Sequence, residues 1–165
     1  MNPALTRGLG LGVLVVILDQ VTKRWALSVL FDPPRRIEIL PMLDFVPVWN
    51  RGVSFGLFSN SASWGPWALS GFALLVCAFM GAWLMRARTW PLIWGLGAVI
   101  GGAIGNVVDR VLYGAVVDFI DVHYGGWHWP AFNIADSAIT LGVGLLLLDA
   151  FGIGREESEG GQEND

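Results

Sequence analysis

Four apolar runs, each about long enough to cross a bilayer, constrain this chain more than any other feature. They extend from about Leu9 to Leu30, Trp64 to Met85, Leu92 to Leu112 and Ile134 to Phe151. A helix rises about 1.5 Å per residue, so roughly 20 apolar residues cross the hydrocarbon. Backbone N–H and C=O groups find no water in lipid, and a helix satisfies them internally. The fold class expected is an all-α membrane protein with four transmembrane helices. Composition agrees: 54% of the 165 residues are hydrophobic and 15% are charged, against about 25% charged in soluble domains.

The first run ends at Asp32-Pro33-Pro34, because proline lacks an N–H and disfavours the helical conformation of the residue before it. Within residues 31–63, Arg36-Ile37-Glu38-Ile39-Leu40 and Leu43-Asp44-Phe45-Val46-Pro47-Val48-Trp49 roughly alternate polar and apolar, the period of a strand. A small extracytoplasmic β-region between helices 1 and 2 is therefore expected. Trp49, Trp64, Trp67, Trp127 and Trp129 flank the runs, where indoles favour the membrane surface.

Four crossings return both termini to one side. Arg7, Arg86, Arg88 and Arg155 share that side, which the positive-inside rule makes cytoplasmic, although Arg35, Arg36, Arg51 and Arg110 fall on the other. Residues 1–154 read as one integral-membrane domain. Residues 155–165 are acidic and lack apolar periodicity, so they read as a disordered tail that carries much of the net charge of −4. Arg7 ahead of Leu9–Leu18 outlines a signal peptide, but Asp19, Gln20, Lys23 and Arg24 interrupt it, and a retained helix is expected. Cys77 is the single cysteine and lies inside an apolar run. It reads as a small buried hydrophobe, with no internal disulfide and no metal-ligand spacing. No basic stripe suggests nucleic acid as a partner.

The polar exceptions to this apolar pattern are few. Asp19 and Lys23 are four apart on one helix face, in the favourable acid-before-base order. They suit either a buried structural clamp or a proton path. Asn50-Arg51-Gly52-Val53-Ser54-Phe55-Gly56 carries two glycines, as a turn or a close backbone approach requires. The third run closes with Gly101-Gly102-Ala103-Ile104-Gly105-Asn106-Val107-Val108-Asp109-Arg110. Its small residues permit close helix packing, and its last turns gather Asn106, Asp109 and Arg110. Asp118 follows in Val116-Val117-Asp118-Phe119, and Asp136 in Phe132-Asn133-Ile134-Ala135-Asp136-Ser137.

A carboxylate at a helix centre in lipid costs roughly 2.5–3.5 kcal/mol on insertion scales, so Asp118 and Asp136 are candidate functional groups. Position alone also allows ordinary roles: a surface-loop residue for Asp118 and a helix-start residue for Asp136.

Taken in order and spacing, these motifs closely resemble bacterial lipoprotein signal peptidase, also called signal peptidase II, from the first helix to the fourth. Ser54 stands where that family usually has alanine, and the acidic tail is not part of its pattern. The resemblance implies an aspartic endopeptidase of the bacterial inner membrane, active near its extracytoplasmic face. Its substrates would be diacylglyceryl-modified prolipoproteins, cleaved just before the lipidated cysteine. It also implies Asp118 and Asp136 as the catalytic dyad. Asn50, Gly52, Asn106, Asp109, Arg110 and Asn133 would line or shape the site.

Membrane lipid and the prolipoprotein are the partners expected, with a monomer as the working form and no cofactor or metal. Two adjacent carboxylates cannot both ionise easily and should share a proton. One would take a proton from water while its protonated partner polarises the scissile carbonyl and later protonates the leaving amine. The rival readings are a small proton-coupled transporter, with Asp19, Lys23, Asp109 and Asp136 as relay, and a non-catalytic membrane assembly factor. A relay needs polar groups on both sides of the midplane, and here they cluster towards one face.

Overall fold

The computed structural model describes residues 2–52 and 64–154. It is mainly helical, with a small sheet. The elements run α1 (Pro3–Leu30), β1 (Ile37–Leu40), β2 (Leu43–Asn50), α2 (Gly65–Leu84), α3 (Trp90–Tyr113), β3 (Val116–Tyr124), β4 (Trp127–His128) and α4 (Ile134–Ala150). Among the described residues, α1, α2 and α3 are long and apolar enough to cross a membrane, while α4 has 17 residues. Helix α1 starts at Pro3, ahead of the apolar run at Leu9. The reason is local: Asn2 caps it by accepting a bond from the Ala4 N–H, and proline sits in its first turn, where a missing N–H costs nothing.

Helix α3 lies at the centre of the bundle. In its most apolar window 72% of residues are buried, against 22% in α1 and 11% in α2. Small residues allow the close approach. A Cβ added to Gly101 would lie 2.5 Å from the Gly12 carbonyl oxygen, and one on Gly105 would lie 2.6 Å from Asp19 Oδ2. Outward from this packing, Phe72, Leu75 and Leu141 are each about two-thirds exposed or more, which suits a surface facing lipid. Cys77 is half-buried, not fully buried as the sequence suggested, with its Sγ towards the Ile100 carbonyl.

The sheet departs from expectation. It has four antiparallel strands in the order β1-β2-β3-β4, and half of them come from between α3 and α4. The expected β-region between helices 1 and 2 therefore supplies only β1 and β2. Val116–Tyr124 alternates poorly because its first four residues are all buried, and a strand covered on both faces loses the polar–apolar period. Asp118 is thus a strand residue, not a surface-loop residue. Strand β2 carries an irregularity between Phe45 and Val48, at Pro47, before pairing Val48 with Asp118 and Asn50 with Val116. Trp25, Phe45 and Phe119 stack edge to face beneath the sheet, tying it to α1. The Ser54-Phe55-Gly56 part of the glycine motif and the acidic tail lie outside the described residues.

Candidate active site

The backbone brings the two aspartates together from opposite directions. Gly114 ends α3 in the left-handed conformation at φ 71°, a geometry glycine adopts without strain. The chain then turns directly into β3, which carries Asp118. Returning towards α4, Phe132 bridges to Ile120 of the same strand through backbone bonds of 2.9 and 3.0 Å. That bridge sets Asn133, the cap of α4, beside Asp118.

Asn133 is fully buried and engages both aspartates. Its Nδ2 donates to Asp118 Oδ1 at 2.7 Å, while its Oδ1 accepts from the Asp136 N–H at 2.9 Å. Its own N–H donates to Asp136 Oδ2 at 3.2 Å, completing a reciprocal capping box. Asp136 is therefore a helix-start residue, and it also faces the shared site. Its other oxygen, Oδ1, accepts from Asn106 Nδ2 at 2.8 Å. The second oxygen of Asp118 accepts from Asn50 Nδ2 at 2.9 Å, a diagonal reach across the β2–β3 pair.

Asp118 is 1% exposed. Burial, above all, pushes its carboxyl up to about 6, and the charge of Asp136 adds to the rise. The bonds from Asn50 and Asn133 and the charge of Lys23 oppose it without cancelling it.

Behind this pair lies a buried charge network. Lys23 Nζ meets Asp19 Oδ2 at 2.8 Å and Asp109 Oδ2 at 2.9 Å, and donates to Asn106 Oδ1 at 3.0 Å. An ammonium can only donate, so the amide atom of Asn106 that faces it must be oxygen. The Nδ2 of Asn106 is then directed at Asp136. Asp19 accepts the Ala135 N–H at 2.9 Å and Asp109 accepts the Val117 N–H at 3.0 Å. One lysine on α1 thereby fixes α3, β3 and the start of α4.

Arg110 donates to the Asn106 carbonyl at 3.4 Å and lies within electrostatic reach of Asp136, Asp109 and Asp118. Its Nε is buried without a partner among the described residues. Gly52 sits next to it: a Cβ there would lie 3.7 Å from Arg110 Nη2 and 2.5 Å from a Leu69 methyl, at φ 77°. The network and its border thus bring together Asp118, Asp136, Asn50, Gly52, Asn106, Asp109, Arg110, Asn133, Asp19 and Lys23.

The sequence reading missed Gln20. Its Nε2 donates to Asp109 Oδ1 at 2.8 Å, and its place beside Asp19 in an apolar run was the available signal. A second cluster on the sheet was also missed. There Asp44 pairs with Arg36 and with His123, while Asp121 pairs with His128. Among the described residues no group of three or more His, Cys, Asp or Glu is arranged to hold a metal ion.

The model of the family described as signal peptidase (SPase) II matches residues 11–152. This chain belongs to the signal peptidase II family. It is an aspartic-type signal peptidase and a multi-pass protein of the bacterial inner membrane. It is 47% identical over 151 residues to a lipoprotein signal peptidase of Methylobacterium sp. (strain 4-46), covering 90% of each chain. A lipoprotein signal peptidase of Pseudoalteromonas atlantica is 40% identical, covering 88% of this chain and 89% of that one. A bacterial membrane enzyme solved by the in meso method at 2.3 Å superposes with a TM-score of 0.73 at 28% identity, covering 92% of this chain and 93% of that chain. Family membership favours this signal peptidase as an enzyme over the transporter and assembly-factor alternatives.

Proposed function

We propose that Asp118 and Asp136 are the catalytic dyad with which this signal peptidase removes the signal peptide from diacylglyceryl-modified prolipoproteins, cutting just before the lipidated cysteine. The observation that carries this reading is that one buried residue, Asn133, donates to both carboxylates, through its side-chain Nδ2 to Asp118 and through its backbone N–H to Asp136. Burial raises the Asp118 carboxyl, which supports placing the shared proton there. Asp136 is then the base.

Water adds to the scissile carbonyl carbon while Asp136 takes its proton and Asp118 gives its own to the carbonyl oxygen. The resulting tetrahedral diol collapses: the C–N bond breaks, Asp136 passes its proton to the leaving amine, and a hydroxyl proton returns to Asp118. Asn50, Asn106 and Asn133 hold the carboxylates in register for both steps, and Arg110 and Gly52 border the substrate path. Asp19 and Lys23 act as a structural pair. No cofactor enters this scheme.

Residues 1–154 form one membrane domain whose four helices all cross the bilayer, both termini being cytoplasmic. The dyad then lies near the extracytoplasmic face, where the diacylglyceryl group keeps the scissile bond close to the surface. About 16 residues of α1 separate Arg7 from Lys23, roughly 24 Å of helix, which supports opposite faces for the arginines and the dyad. Both aspartates come from one chain, so a monomer suffices. The test is cleavage of a diacylglyceryl-modified lipobox peptide by purified protein. Asp118→Asn and Asp136→Asn should each abolish turnover while the protein stays inserted and folded. Robust cleavage by either variant overturns the assignment.

A further inference from the structure

The end of the bundle away from the aspartates holds a feature that proteolysis does not use. Arg7 from the first turns of α1, and Arg86 and Arg88 from the α2–α3 connection, line one cavity of about 720 Å³ together with Thr89, Trp90 and Asp149. The volume falls in the roughly 300–1,000 Å³ range of small-molecule sites. Next to two of these arginines in the chain, Asn2 Nδ2 donates to the Met85 carbonyl at 2.7 Å, tying the start of α1 to the end of α2. Among the described residues, none of the three arginines has an ion-pair partner. The one acid in the lining, Asp149, accepts the Thr89 hydroxyl. Thr89 therefore does not cap α3 with its side chain, and the positive end of that helix borders the same space. Trp90 is half exposed beside it, as an indole at a headgroup boundary would be.

We propose that this cavity binds the phosphate of an anionic lipid headgroup. Three guanidiniums from two parts of the chain converge on one concave space, each able to fork onto phosphate oxygens. The concentration of such phosphates is highest at the inner leaflet surface, where these arginines lie in the topology proposed above. The site rests on that topology and not on the dyad.

The test uses the full-length protein in nanodiscs of phosphatidylcholine with or without phosphatidylglycerol. Lipid retention is read by native mass spectrometry, and lipobox-peptide cleavage is measured beside it. Wild type should retain phosphatidylglycerol over phosphatidylcholine. Each arginine near the surface is worth about fivefold, so Arg7→Gln with Arg86→Gln and Arg88→Gln should lower that preference on the order of 100-fold. Arg24→Gln, the same charge change outside the cavity, should leave it intact. Equal preference in the triple variant and wild type overturns the proposal. So does a site that inorganic phosphate alone saturates, with no gain from lipid. The sequence after Gly154 includes Glu156, Glu157 and Glu159. If phosphatidylglycerol binds only after residues 155–165 are removed, the chain's own acids are the occupant and the lipid assignment falls. A lost dyad abolishes cleavage without touching retention, so the two readings fail separately.

Discussion

Asp118→Asn sets the proposed proton of the dyad against the stability of the fold. The carboxyl rises from 3.8 to about 6 in the folded protein, about two units, or roughly 3 kcal/mol at 1.36 kcal/mol per unit. The folded pKa exceeds the unfolded one, so the native state holds this proton more tightly. The stability it contributes is therefore complete below about pH 4 and is lost as pH rises through about 6. Above about pH 7 the wild type carries an ionised carboxylate that is 1% exposed, and the asparagine variant does not.

A second contribution opposes the first. Both carboxylate oxygens of Asp118 accept from amide donors, Asn50 and Asn133, so the variant's NH2 must face one of them. Asn50 is not free to turn over, because its Oδ1 accepts the Gly52 N–H at 2.8 Å. A donor facing a donor costs about 1–3 kcal/mol at every pH. At about pH 4 the variant should thus be less stable than wild type by that amount, and by about pH 8 the gap should close or reverse. The swing of about 3 kcal/mol corresponds to roughly 6–12 °C in the difference between melting temperatures. Tryptophan fluorescence during heating in detergent, at about pH 4, 6 and 8, reads it directly, since the chain has nine tryptophans. A difference that stays constant with pH would refute both the buried neutral carboxyl and its assignment as the acid.

Other outcomes follow from the same geometry. With Asp118 as the acid, kcat/KM should fall as pH rises through about 6, nearing tenfold per unit beyond it; a plateau reaching about pH 9 contradicts this. Lys23→Met strands Asp19 and Asp109 without their shared cation, and should cost about 3–5 kcal/mol in thermal unfolding. Adding Asp19→Asn and Asp109→Asn should recover part of that loss. Gly105→Ala sets a methyl 2.6 Å from Asp19 Oδ2, on a carboxylate already held by Lys23 and the Ala135 N–H. A cost of about 1–3 kcal/mol in the melting curve is expected, and an unchanged melting temperature would mean that the helices part freely.

Apolar length marked the helices because burial in lipid leaves a continuous signal along the chain. The strand carrying Asp118 was not legible in the same way. Alternation reports a sheet with one wet face, and Val116 to Phe119 are covered on both. The site residues were visible as polar exceptions, but their bonding was not. Spacing alone put Asp19 and Lys23 on one face of α1. It did not reveal that Lys23 also meets Asp109 and Asn106, because those contacts join α1 to α3, and 83 residues of chain separate Lys23 from Asn106. Gln20 was passed over for a related reason: an amide beside a charged pair carries no period of its own.

The amides explain why four aspartates can share so small a volume. Asp19 and Asp109 face Lys23 directly, which leaves the carboxylates of Asp118 and Asp136 bonded to neutral donors, with Arg110 and Lys23 acting only through their fields. An amide has a donor end and an acceptor end, so a chain of amides passes on direction without passing on charge. Lys23 fixes the acceptor end of Asn106, whose donor end then meets the Asp136 carboxylate; Asn133 gives its donor end to the Asp118 carboxylate while its acceptor end takes the Asp136 backbone N–H. Were a second lysine in place of Asn106, it would neutralise Asp136 more fully but also hold the pair ionised, and no proton would remain for the carbonyl. Neutral donors hold the geometry and leave the pair short of positive charge, which is the condition under which burial raises the Asp118 carboxyl.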